Sequence, residues 1–224
     1  MGIQERKERE KEQRREEILD AAEKVFFEKG LNVATMDEIA EKAELSKGTL
    51  YLYYKSKEDL YLAVIMRGLE ILHEMFKVRA STTDSTATKL VALWDAYLAF
   101  FNNHREHFRM IHFLQSPHFH KQVSEEMKQS CTLLNRRIWD TVNAIFRRGV
   151  EEEILRPNLN PVDVGIILWS SATALMLRVD NEYALWKESM GIDLLKTLKL
   201  SNELFFDAIC TPQGRTMIAA VEHR

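Results

Sequence analysis

The sequence predicts an all-α protein, a small N-terminal helical domain followed by a larger helical bundle. Three observations lead there. Prolines and glycines are sparse, four and eight in 224 residues. No stretch alternates apolar and polar residues with the period of a strand, and apolar residues recur instead at i, i+3 and i+4, the spacing of one helix face. The length suffices for one sizeable core or for two smaller ones. The net charge of −3 gives no global reason to expect a polyanion partner, so any such contact must be local. Cys131 and Cys210 are too few and too isolated for a disulfide framework, and MGIQERKEREKEQRREE lacks the apolar core of a secretory signal. A reducing cytoplasm is the expectation. The apolar run from Val164 to Leu177, closed by Asp163 and Arg178, is too short to cross a bilayer as a helix, so no membrane is expected as a partner.

Ile18, Ala21, Ala22, Val25 and Phe26 share one face of a first helix that Gly30 stops. The arm from Gln4 to Glu17, six bases among six acids with Glu5–Arg9 and Glu10–Arg14 at i, i+4, reads as a solvated extension of that helix. Its interspersed glutamates count against a minor-groove role for Arg6, Arg9 or Arg14. Thr35-Met-Asp-Glu38 is a capping box and opens a short second helix to about Ala43. Ser46 caps a third through about Tyr54, and Ser56-Lys-Glu-Asp59 starts a long fourth that runs to about Arg79. Short helix, tight turn, short helix is a helix-turn-helix outline.

Beyond the Ser/Thr-rich loop at 81–86, Leu90, Leu93, Trp94, Tyr97, Leu98 and Phe101 mark a fifth helix. A sixth spans Arg105–Gln115 and ends at Ser116-Pro117. The positions from Val123 through Met127, Cys131, Leu134, Ile138, Val142, Ile145 and Phe146 trace a seventh. Asn160, Pro161 and Asp163 open an eighth, which is apolar nearly all round to Val179 and so calls for cover on more than one side, most economically by a second copy. Leu194, Leu195, Leu198, Phe205, Ala208 and Ile209 belong to a C-terminal helix with breaks near Gly191 and Ser201.

Residues 46–57 hold what a recognition helix needs: an inward side, groups for base edges and groups for phosphates. Leu45, Leu50 and Tyr54 pack inward. Lys47, Thr49, Tyr51 and Tyr53 face a groove or its phosphate walls, and Gly48 lets backbone approach closely. Between Leu45 and Lys57 the lysines at 47, 55 and 57 stand with no acid among them, a basic patch in an otherwise balanced region. The residues of this stretch expected to meet DNA are Ser46, Lys47, Gly48, Thr49, Tyr51, Tyr53 and Lys57.

The run Ile18-Leu-x-Ala-Ala, Phe26-x-x-x-Gly30, Thr35-Met-x-x-Ile39-Ala, Gly48-Thr-Leu-Tyr51, Tyr53-Tyr54 and Lys55-Ser-Lys57-x-x-Leu60 resembles the DNA-binding domain of TetR-type transcriptional regulators over about a fifth of the chain. The resemblance implies a homodimer with an N-terminal helix-turn-helix, residues 1–57, and a divergent helical domain, residues 58–224, that dimerises and binds a small effector. Most members repress transcription until the effector arrives. By position, Thr35 and Tyr51 would bind phosphate, Lys47, Gly48, Thr49 and Tyr53 would lie at the groove, and Lys57 would hold phosphate at the start of the fourth helix. Tyr54 departs from the pattern, where phenylalanine is common.

An effector of mainly apolar character would then meet bundle residues among Trp94, Tyr97, Phe101, Phe108, Ile111, His112, Cys131, Trp139 and Met176, although most such positions are core in any bundle. Five of seven histidines fall within residues 104–120, at intervals of three, five, six and two that match no zinc pattern. His112 is read as a polar group in the pocket and the other histidines as surface residues. No nucleophile–base motif, phosphate loop or metal cluster stands out, so neither catalysis nor a cofactor is expected. A helical-bundle enzyme and a structural DNA-binding protein without effector are the rival readings.

Overall fold

In the computed structural model, which describes residues 2–81, 85–113 and 117–222, every named element is an α-helix. They are α1 (Ile3–Val33), α2 (Met36–Lys42), α3 (Lys47–Tyr53), α4 (Lys57–Ser81), α5 (Thr86–Asn103), α6 (Arg105–Phe113), α7 (Pro117–Gln122), α8 (Glu125–Glu151), α9 (Pro161–Met190), α10 (Leu194–Ile209) and α11 (Pro212–Glu222). The expected fold class is observed.

The caps read from the sequence are formed. Thr35 Oγ1 accepts the Glu38 amide at 3.2 Å while the Thr35 amide donates to Glu38 Oε2 at 3.1 Å, the reciprocal pair of a capping box. Ser46 Oγ accepts the Thr49 amide at 3.0 Å and Ser56 Oγ the Asp59 amide at 3.0 Å. At Gly30 the backbone turns to φ 69°, ψ 173°, which kinks α1 before its last residues. The N-terminal arm is helical and exposed, and among the described residues the ion pairs within it are Arg6–Glu10 and Arg14–Glu17 rather than the two expected from spacing.

Other boundaries differ from expectation for local reasons. Pro117, read as a stop, is the first residue of a short helix, the one helical position where the missing N–H costs nothing. The rest of that stop, through Ser116, lies outside the described residues, as do Thr82–Asp84 of the Ser/Thr-rich loop. The eighth helix of the sequence reading is α9, and it continues past Val179 to Met190. Charges near Arg178 do not end it, because Arg178 pairs with Glu182 at 2.9 Å along the helix, and its stop is Gly191 in the left-handed region at φ 66°. No break occurs at Ser201, whose hydroxyl is absorbed by the Leu198 carbonyl at 2.8 Å. α11 was not foreseen.

The chain forms two compact units, Met1–Ile71 with Asn103–Arg136, and Leu72–Asn102 with Arg137–Arg224. In the first, Ile18, Ala22 and Phe26 of α1, Ile39 of α2, Leu50 of α3, and Leu60, Val64 and Ile65 of α4 are buried. Phe26 meets Tyr61 edge-on at 4.9 Å, and Tyr61 meets Phe119 of α7 at 5.6 Å. Arg67 of α4 holds three carboxylates spaced along one face of α1, Glu16, Asp20 and Glu23, at 2.5, 2.7 and 3.0 Å. In the second unit the fully buried side chains include Phe100, Phe101, Phe146 and Phe206.

Candidate DNA interface

The turn between α2 and α3 passes through Glu44, a non-glycine residue at φ 55°, with the Leu45 amide bonded to the Ala40 carbonyl at 2.9 Å. This tight reversal sets α3 across α2. Leu50 is fully buried and Tyr54 nearly so, and burial pushes the Tyr54 hydroxyl up to about 12. With i and i+4 spent inward, Gly48, Tyr51 and Leu52 point away from the core, and Lys47 is exposed at the first residue of the helix. Lys47 and Gly48 are exposed, Tyr51 is 44% exposed, and Thr49 and Tyr53 are half-buried. A Cβ built on Gly48 would meet nothing closer than Ser46 Oγ at 3.8 Å. Nothing inside the protein therefore demands glycine there, and the absent side chain leaves the backbone open to an approaching surface.

Each lysine of the patch is held by the protein itself. Lys47 Nζ lies 2.8 Å from Asp37 Oδ2, joining α3 to α2, and that hydrogen bond raises its pKa. Lys55 Nζ lies 3.1 Å from Glu126 Oε2 of α8. Lys57 Nζ donates to the Ala34 carbonyl at 2.9 Å, the residue before the α2 cap, and is half-buried. An ammonium has three donors, so each lysine keeps N–H groups for a phosphate while one is used to aim it. Thr35 and Ser46 are exposed at the caps of α2 and α3. The Thr35 oxygen accepts from Glu38, so its proton remains for an outside acceptor. Ser46 Oγ and Thr49 Oγ1 share a proton at 2.8 Å.

Leu52 was not singled out from the sequence, yet it is 83% exposed on the same face. The signal was available, since it lies one helical turn from Gly48. An exposed aliphatic group beside tyrosines on such a face matches a thymine methyl.

The candidate effector residues are shared between the two units. In the first, Phe108 and Cys131 are buried, and Ile111 and His112 half-buried. His112 Nε2 is shut from solvent with no hydrogen-bond partner among the described residues. Its ring stacks edge-on to Phe108 at 4.5 Å, and burial pushes its pKa down to about 4. Burial raises the Cys131 thiol pKa, and its sulfur accepts from Asn135 Nδ2 at 3.4 Å. In the second unit Trp94, Phe101 and Met176 are buried. The Tyr97 hydroxyl bonds Thr173 Oγ1 at 2.6 Å, and Trp139 meets Trp169 edge-on at 5.9 Å. Two polar groups there were missed. Asn143 Oδ1, beside the Gly165 backbone, and Asn202 Oδ1 are buried without a hydrogen-bond partner among the described residues.

The reading of the remaining histidines as surface groups is corrected at His107. It is buried, its ring edge-on to Phe27 at 5.0 Å and its Nε2 3.5 Å from Glu23 Oε2. His107 and Arg67 together hold the Glu23 carboxyl below its usual range. His107 lies on the same side of α6 as Phe108 and Ile111, which is why it turns inward. The side chain of His118 lies outside the described residues.

Residues 18–64 match the profile of bacterial regulatory proteins of the tetR family. The chain is 30% identical over 155 residues to the HTH-type transcriptional repressor KstR2 of Mycobacterium tuberculosis, covering 66% of this chain and 72% of that one. It is 31% identical over 133 residues to the HTH-type transcriptional activator FasR of Mycolicibacterium smegmatis, covering 59% of this chain and 60% of FasR. Among solved structures, the Bacillus subtilis regulator FadR in complex with stearoyl-CoA superposes with a TM-score of 0.58 at 18% identity, over 85% of this chain and 96% of that one. The face on α3, the profile match across α1–α4 and the extended similarity to a repressor agree: this chain belongs to the TetR family and is a DNA-binding transcriptional regulator.

Proposed function

We propose that the protein is a cytoplasmic, homodimeric repressor whose residues 1–57 read a pseudo-palindromic operator and whose residues 58–224 dimerise and take up a small amphipathic effector that releases the DNA. The observation that carries the reading is the outward face of α3, where Lys47, Gly48, Tyr51 and Leu52 stand clear while Leu50 and Tyr54 anchor the helix. Thr35, Tyr51 and Lys57 are assigned to phosphates, and Ser46, Lys47, Gly48, Thr49 and Tyr53 to the groove. Two recognition helices in successive major grooves lie one turn of DNA apart, about 34–36 Å.

Dimerisation is supported by apolar surface that a lone subunit leaves in water. On α9, Ile166, Ile167 and Trp169 are exposed, as are Leu200 and Leu204 on α10. α9 is also long and apolar enough to cross a membrane by length and composition alone. Packing against α10 in the second unit covers part of that apolar surface, and a second copy of the chain would cover the exposed strip. For the effector, the first unit offers Phe108 and Cys131, buried, and Ile111, half-buried, with His112 Nε2 as a polar group, and the second unit offers Trp94, Tyr97, Phe101 and Met176, buried, and Trp139, half-buried. The relatives point the same way, since the Bacillus subtilis FadR structure is a complex with stearoyl-CoA and the Mycobacterium tuberculosis KstR2 is a ketosteroid transcriptional regulator. A lipid-like acid or its thioester is the favoured class.

The test is reciprocal. DNA selected from genomic fragments is titrated with and without stearoyl-CoA and related thioesters, and thioester affinity is measured with and without that DNA. Coupling of 5–150-fold in both directions is expected, because linkage requires equal factors. A thioester that binds tightly while neither affinity responds to the other ligand would sink the release mechanism and favour a DNA-binding protein without effector control.

A further inference from the structure

Ser56-Lys-Glu-Asp59 has the spacing of a capping box, in which the acid at the third helical position turns back to the amide of the cap residue. Only half of that exchange is used. Ser56 Oγ accepts the Asp59 amide, but Asp59 Oδ1 accepts the backbone N–H of Ser124 at 2.8 Å, 65 residues further along the chain. Asp59 is 2% exposed. Ser124 is the residue from which α8 starts: its carbonyl takes the Lys128 amide at 3.1 Å and its hydroxyl the Met127 amide at 3.4 Å. One buried carboxylate thus lies at the N-terminal ends of both α4 and α8, where two helix dipoles present their positive poles. Shielded from water, a charge-assisted bond of this kind holds more firmly than a surface ion pair.

Two residues into α8, Glu126 pairs with Lys55, and Lys55 is the second residue after the recognition helix. The first turn of α8 is therefore held to the first turn of α4 by a buried hydrogen bond, and it meets the chain leaving α3 through an exposed ion pair that adds little strength.

We propose that Asp59 is a positioning residue for DNA reading. The first turn of α8, together with α4, holds the recognition helix at its working angle, and a displacement of α8 reaches the DNA reader through the Asp59–Ser124 bond. This rests on the regulator reading above. It adds a second handle on the recognition helix beside the one supplied by α4, on the end of a helix that continues into residues proposed to meet the effector.

Two variants test it from opposite partners: Asp59→Ala removes the acceptor, and Ser124→Pro removes the N–H while leaving Asp59 in place, with Ser124→Ala as the control for the hydroxyl that Ser124→Pro also deletes. Amide exchange over residues 47–54 and 123–128 is followed by mass spectrometry, alongside affinity for a selected operator and for an unrelated duplex. Both variants are expected to exchange faster in both segments. Operator affinity should fall roughly 10–100-fold, the span of a lost hydrogen bond to a charged group, while affinity for unrelated DNA changes less than about twofold. Should Asp59→Ala not fold, Ser124→Pro decides alone.

Faster exchange confined to 123–128, with residues 47–54 and operator affinity as in the parent, would overturn the proposal and leave Asp59 as a cap of α8. A parallel fall in both DNA affinities would overturn it too, as a general loss of structure or charge. A parent protein that selects no DNA would defeat the regulator reading instead, and the exchange at 47–54 would still decide whether the two helix starts are coupled.

Discussion

At the scale of the residue, Lys57 combines a proposed contact with an observed one. It was assigned to phosphate from its place at a helix start, where a cation is disfavoured by the dipole. Its ammonium also braces the Ala34 carbonyl at 2.9 Å, next to the cap of α2. Lys57→Ala is therefore expected to weaken binding to all DNA sequences, to flatten the log–log salt dependence by about 0.9 per lost phosphate contact, and to lower the melting temperature of the free protein. Binding titrations at several salt concentrations, with a thermal melt, separate the two effects, and an unchanged salt slope would remove Lys57 from the phosphate set. Lys47→Ala and Leu52→Ala should instead relax base preference, at about 1–3 kcal/mol per lost specific contact, which a competition series of operator variants would read. His112 gives a pH test. Its folded pKa, about 4, lies below the ordinary histidine value, so the fold favours the neutral ring. The resulting stability is fully present above about pH 6.5 and is lost as the pH falls through 4. By pH 5 the loss should approach roughly 2 kcal/mol relative to pH 7.5. Denaturant midpoints at the two pH values should show a smaller difference in His112→Leu, and an equal difference would mean that His112 titrates freely.

The element scale is where α1, α4 and α6 meet. A Cβ on Gly68 of α4 would stand 2.8 Å from His107 Cδ2 and 2.9 Å from its Cβ, too near the His107 backbone to be relieved by a rotamer change alone. Gly68→Ala should cost about 1–3 kcal/mol by overpacking, measured by denaturant unfolding, although alanine is the better helix former. A stabilised Gly68→Ala variant would mean that α6 yields easily at this contact. One residue earlier in α4, Arg67 pairs with three acids of α1, so Arg67→Ala leaves Glu16, Asp20 and Glu23 facing one another without their cation. None of these partnerships shows in local spacing. The recognition stretch was legible because its cap, its inward pair and its outward face all lie within about eight residues.

For the whole molecule the outstanding question is assembly. The exposed strip on α9 is the reason to expect two copies, and a dimer is also what two half-sites require. Ile166→Glu with Ile167→Glu should give a folded monomer in sedimentation that no longer holds an operator. A parent protein that sediments as a monomer at micromolar concentration would contradict the dimer. Leu177 on the same helix is half-buried and is the poorer place for such a change.

The sequence by itself determined the all-α class, the caps at Thr35, Ser46, Ser56 and Asn160, and the recognition stretch. Each of these follows from interactions spanning four residues or fewer, which periodicity and capping rules describe. Only the tertiary structure decided where the isolated polar groups go: Asp59 to Ser124, Lys55 to Glu126, Lys57 to Ala34 and His107 into the interior beside Glu23. Those partners lie between 23 and 84 residues apart in the chain, counting from Lys57 to Ala34 and from His107 to Glu23. Whether a buried charge caps its own helix or another one depends on which helix packs beside it, and that is settled by the burial of the surrounding apolar faces rather than by any local preference.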